Sequence, residues 1–186
     1  MKKLLLVAAC IVASVGALAQ GTVLFDNLKA GNPAGKITDA SGAGLAGTAF
    51  LAQLYAGADA NSLAPVGAAL SFRTGAAAGF VSTAGIDATR AIPGVAVGGT
   101  ASFLQVRAWD AAGGATYDAA AGAGKAVGMS AIFAAGPLGG PGTPPATPAN
   151  ITNMRGFSVV GTVVPEPSTI ALGVLGVASL LLRRRN

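Results

Sequence analysis

The sequence predicts an all-β protein. Its body should be an antiparallel β-sandwich of about seven or eight short strands, set between an N-terminal signal helix and a single C-terminal transmembrane helix. Three observations lead there. Short stretches of alternating apolar and polar residues recur along the body, most clearly at 102–110. Turn-forming residues separate them, drawn from 28 glycines and 10 prolines. The two ends differ from the body, each combining an uncharged apolar run with clustered basic residues.

In chain order, 22–25 reads as a first short strand, closed by Asp26 and Asn27. Residues 32–47 read as loop. At 49–55, Phe50, Ala52 and Leu54 fall on one face of a strand while Gln53 and Tyr55 fall on the other. A turn at 57–65 leads to a strand at 70–74, with 79–83 as its partner. Residues 95–97 form a weak strand candidate. At 102–110, Leu104, Val106 and Ala108 share one face, and Phe103, Gln105, Arg107 and Trp109 the other. That period of two marks a half-buried strand. Residues 111–124 hold one helical turn around 117–121, 127–133 reads as a strand, and 157–163 as the last. The Pro/Gly-rich stretch 136–148 is a loop or linker. A membrane β-barrel would need longer alternating segments with aromatic girdles, and aromatics are only 5% here.

At the amino end, Lys2 and Lys3 precede an apolar stretch at 4–15, and Ala17 and Ala19 place small residues before Gln20. This is the pattern of a secretory signal peptide, 1–19, cut between Ala19 and Gln20. Cys10 follows Val7-Ala8-Ala9 in the manner of a lipoprotein box, but the apolar stretch continues past it. With the leader removed, the only cysteine leaves too. The exported domain is then 20–163.

At the carboxyl end, Pro165, Glu166, Pro167, Ser168 and Thr169 precede the uncharged run 170–182, which ends on Arg183, Arg184 and Arg185. A helix over 170–182 would be about 20 Å long at roughly 1.5 Å per residue. A bilayer core is about 30 Å thick. Including Ser168 and Thr169 lengthens the helix to 168–182, and the arginines can snorkel outward. The prolines cannot lie inside the helix and so fix its start. The basic end at 183–185 keeps to the cytoplasmic side, which leaves the body outside the cytoplasmic membrane.

The tail 164–186 resembles the PEP-CTERM sorting signal of bacterial surface proteins in its three-part order of Pro-Glu-Pro motif, short apolar helix and basic end. The resemblance implies processing by a membrane-embedded exosortase, a protease or transpeptidase, near 165–167. The alanine- and glycine-rich body, with its Phe-Leu-Gln-Val-Arg-Ala-Trp run at 103–109, is similar to small exported proteins that carry such tails.

The net charge of +5 resides at the ends. Between 20 and 164, seven basic residues stand against six aspartates, with no clustered footprint for nucleic acid. The chain has no histidine, which excludes Ser-His-Asp triads and histidine metal sites. Asp26, Asp39, Asp59, Asp87, Asp110 and Asp118 are the carboxylates a glycosidase would have to pair. Most sit in turn contexts, where Asp bonds its own backbone. Asp59-Ala60-Asn61 lacks the acidic series of a calcium loop. Gly42 to Gly47 spells a dinucleotide pattern without the strand before it and the helix after it. No catalytic, cofactor or metal site is expected.

Trp109 and Tyr117 are the side chains a sugar-stacking platform could use; the competing reading packs Trp109 on a second sheet or under 111–124. Two functions follow. The first is a non-enzymatic surface or matrix protein sorted through its tail. The alternative is a carbohydrate-binding module associated with exported polysaccharide.

Overall fold

The computed structural model describes residues 20–31 and 33–161. The expected leader 1–19, the expected sorting tail 164–186 and the expected membrane helix 168–182 all lie outside the described residues. Among the described residues, no helix is long and apolar enough to cross a membrane.

Among the described residues, ten strands form two sheets in a sandwich-like arrangement. They are β1 (Gln20–Leu24), β2 (Thr38–Asp39), β3 (Gly47–Ala56), β4 (Ala64–Phe72), β5 (Thr89–Ala96), β6 (Ala101–Asp110), β7 (Ala126–Met129), β8 (Phe133–Ala135), β9 (Ala149–Asn150) and β10 (Ser158–Gly161). The larger sheet runs β2-β10-β7-β6-β3-β4, with β8 also paired to β6; the smaller runs β5-β1-β9. One short helix, α1 (Tyr117–Gly122), lies between β6 and β7. The expected antiparallel order needs correcting at two places, because β1 pairs β9 and β10 pairs β2 in parallel.

The centre of the large sheet follows from alternation. Ala52 and Leu54 of β3, and Leu104, Val106 and Ala108 of β6, are all fully buried. They pair directly across the strands, Leu54 with Val106 and Ala52 with Ala108. Val23 of β1, Ile92 of β5 and Leu70 of β4 close the same core. Each large buried aliphatic side chain there contributes about 1.5–3 kcal/mol. The opposite face of β6 is also covered at one end, since Trp109 has no exposed surface and packs with Tyr55, Tyr117 and Ala120.

The single strand expected at 127–133 is two strands. Ser130 explains the break. Its N–H donates to the Val106 carbonyl (2.9 Å), and its Oγ accepts from Val106 N–H (3.0 Å). The hydroxyl thus takes the place of a backbone carbonyl in the ladder, the chain leaves the sheet, and pairing with β6 resumes where Phe133 meets Leu104.

Two buried polar side chains tie segments that the sheets do not join. Asn27 has no exposed surface. Its Nδ2 donates to the carbonyls of Gly35 (2.8 Å) and Gly79 (2.9 Å), and its Oδ1 accepts from Val81 N–H (2.8 Å). Arg90 donates through Nη1 to the carbonyls of Asp87 (2.8 Å) and Thr89 (3.1 Å) and through Nη2 to that of Ala68 (3.1 Å). Gly67, at φ +68°, leaves its passage clear: a Cβ there would stand 2.5 Å from Arg90 Nε.

Candidate functional site

The carboxylates come first, because a hydrolase would need two of them to converge. Five of the six aspartates accept the amide two residues ahead. Asp26 takes Leu28 N–H, Asp39 Ser41, Asp59 Asn61, Asp87 Thr89 and Asp110 Ala112. These are Asx turns, the use their sequence contexts predict. Asp118 lies in the first turn of α1, where the helix N-terminus favours negative charge. Asp26 also pairs with Arg73 at 3.4 Å, the one ion pair among the described residues. The pKa of Asp39 is lowered chiefly by its bond from the Ser41 hydroxyl, and that of Asp87 by bonds from Thr89. No group of three or more His, Cys, Asp or Glu gathers as a metal would need among the described residues. The glycine pattern at 42–47 runs straight into β3 rather than a helix.

The aromatic face is the second place. Trp109 and Tyr117 come together, but neither offers a ring to a sugar. Trp109 is fully buried, Tyr117 is 7% exposed, and the indole N–H is already spent on the Gly114 carbonyl at 3.0 Å. The stacking platform is therefore corrected to a small second core under 111–124. Its physical cause is the Asp110 cap and the Thr116 cap, which fold the segment back over the strand end and seat α1 on the indole. At the rim, the Arg107 guanidinium stacks on Tyr55 (4.2 Å) and Tyr117 (5.3 Å), and its Nε–H donates to Gln105 Oε1 (2.9 Å). Burial pushes both phenols above their ordinary pKa, and the Arg107 charge partly opposes it.

The third place is an open groove of about 620 Å³ where β2 and β10 lie side by side. Lys36, Thr38, Arg155, Phe157 and Ser158 line it. The hydroxyls of Thr38 and Ser158 lie 2.9 Å apart. Sequence reasoning missed this groove. Its two cations stand more than a hundred positions apart, and no local pattern links them.

Strand β10 leads out of the groove and ends at Gly161. Residues 163–185 match the PEP-CTERM protein-sorting motif. The chain carries a PEP-CTERM sorting signal. None of the curated proteins and none of the solved structures compared with the chain matches it. The PEP-CTERM motif marks an exported protein sorted by an exosortase, a membrane enzyme. Pro165, Glu166, Pro167, Ser168 and Thr169, like Arg183, Arg184 and Arg185, belong to that motif and lie outside the described residues. Ala17 and Ala19 of the expected leader cleavage site also lie outside the described residues; Gln20, the residue after it, opens β1.

Proposed function

We propose that this protein is a non-enzymatic component of the cell surface or extracellular matrix. Its β-rich body is exported behind the leader 1–19 and held at the cytoplasmic membrane through the tail. An exosortase then processes that tail. The observation that carries this reading is adjacency. The sorting motif starts at residue 163, two positions after the last strand ends, so body and address are joined without a long linker. The aspartates support the non-enzymatic part, since five of them are engaged in turns of their own loops.

The test is fractionation of producing cells with the full chain and with a chain ending at 164. The full chain is expected in the membrane and surface fractions. The shortened chain is expected to be exported but released, because it has lost both the apolar run and the basic stop. The same distribution for both would remove the tail from the account.

A further inference from the structure

We propose that the groove between β2 and β10 binds an acidic polysaccharide, with Lys36 and Arg155 taking the carboxylates. The groove shares no lining residue with the aromatic face of Trp109 and Tyr117.

Lys36 is held in place rather than free on a stem. Its side chain runs over two glycines. A Cβ at Gly79 would stand 2.5 Å from Lys36 Cγ, and one at Gly44 would stand 2.8 Å from Lys36 Cε. Gly156 closes the floor, its N–H donating to the Ala34 carbonyl at 2.6 Å, where any Cβ would collide with the Lys36 carbonyl. Holding a lysine this way removes rotamer entropy before a ligand arrives. Across the groove Arg155 is exposed.

Neither cation has a carboxylate partner among the described residues. The nearest acid along the chain, Asp39, turns Oδ1 to Ser41 N–H, Ser41 Oγ–H and Ala43 N–H. Among the described residues no acidic side chain lines the groove. Two unpaired cations favour an anion, and Arg in particular suits a planar carboxylate.

The remaining lining selects the class. Thr38 and Ser158 supply hydroxyls that can donate to or accept from sugar hydroxyls, and the half-buried Phe157 adds an aromatic surface. The groove is open, and its volume of about 620 Å³ falls within the roughly 300–1,000 Å³ of small-ligand sites. A bilayer surface is broad and would meet a convex basic face instead. Nucleic acid would call for many more phosphate contacts than two cations provide.

The experiment uses the full-length protein in neutral detergent micelles at low salt, titrated by calorimetry with trigalacturonic acid. Maltotriose serves as the uncharged comparison and phosphatidylglycerol vesicles as the membrane comparison. Saturable binding of trigalacturonic acid is expected, with maltotriose bound at least about tenfold more weakly. Lys36→Met and Arg155→Gln should each weaken trigalacturonate about tenfold, the loss of one charge-assisted contact, and Lys36→Arg should restore most of it. Arg155 is exposed, so Arg155→Gln keeps the test decisive even if Lys36→Met unfolds the body. Absence of saturable binding, or binding unchanged in Arg155→Gln, overturns the proposal. So does Arg155-dependent binding to the vesicles without binding to the sugar. Sugar binding reads the groove and fractionation reads the tail, so each reading can fail alone.

Discussion

Asn27→Ala should be among the most costly single truncations in the body, although it removes only a small polar side chain. Asn27 satisfies three backbone groups from two distant segments. The Gly79 carbonyl would keep its second donor, Ile37 N–H at 3.0 Å. The Gly35 carbonyl and the Val81 N–H would each lose the partner that Asn27 provides. A buried group left unsatisfied costs about 1–3 kcal/mol, so two give about 2–6 kcal/mol, with water entry drawing the result toward the lower end. That is a large share of the roughly 5–15 kcal/mol by which a domain is stable. Urea unfolding followed by tryptophan fluorescence should show the midpoint falling with little change of slope. Asn27→Asp adds a check on sign. Burial raises the folded pKa of a carboxyl above its unfolded value near ~3.9. The extra penalty should therefore be small below that value and grow as pH rises toward ~7. A loss under about 1 kcal/mol for Asn27→Ala, or an Asn27→Asp penalty indifferent to pH, would refute the reasoning.

Three further outcomes follow from the cited contacts. Trp109→Ala should cost about 3–5 kcal/mol of stability, and Trp109→Phe about 1–2 kcal/mol from the lost indole bond, both read by thermal unfolding; a near-neutral Trp109→Ala would contradict the buried second core. Arg107→Met should raise the pKa of Tyr55 and Tyr117 still further in an ultraviolet pH titration, since the Arg107 charge is what opposes the effect of burial. Ser41→Ala should bring the Asp39 pKa back up toward its ordinary 3.8 in a carboxyl NMR titration. The same bonds stabilise the loop above that value, and their contribution is lost as pH falls through the lowered pKa.

How much of this was legible in the sequence depended on side-chain contrast. β3 and β6 were readable because Leu54, Leu104 and Val106 alternate with Gln53, Gln105 and Arg107. The turn of α1 was expected around 117–121 and is found at Tyr117–Gly122, where the structure adds the Thr116 cap. β5 was missed over most of its length because Pro93 and Gly94 interrupt it; the structure tolerates both because β5 is an edge strand of the small sheet. The first part of β4 was missed, 64–65 falling in the expected turn and 66–69 left unassigned, because Ala64, Pro65, Gly67, Ala68 and Ala69 carry no pattern of polarity. The parallel pairs escaped because β2 and β9 have two residues each, too few to show any period. In the same way, Asn27 looked like a turn residue, and its burial comes from segments brought to it by the fold. The glycines under Lys36 cannot be told apart from the others in a chain so rich in them.

The most direct measurement is the intact mass of the mature protein recovered from the membrane and surface fractions of producing cells. Loss of residues 1–19, together with a tail cut or modified near 165–167, is the predicted result. A chain with both termini intact, found in the cytosol and free of membrane, would contradict both the export and the surface role.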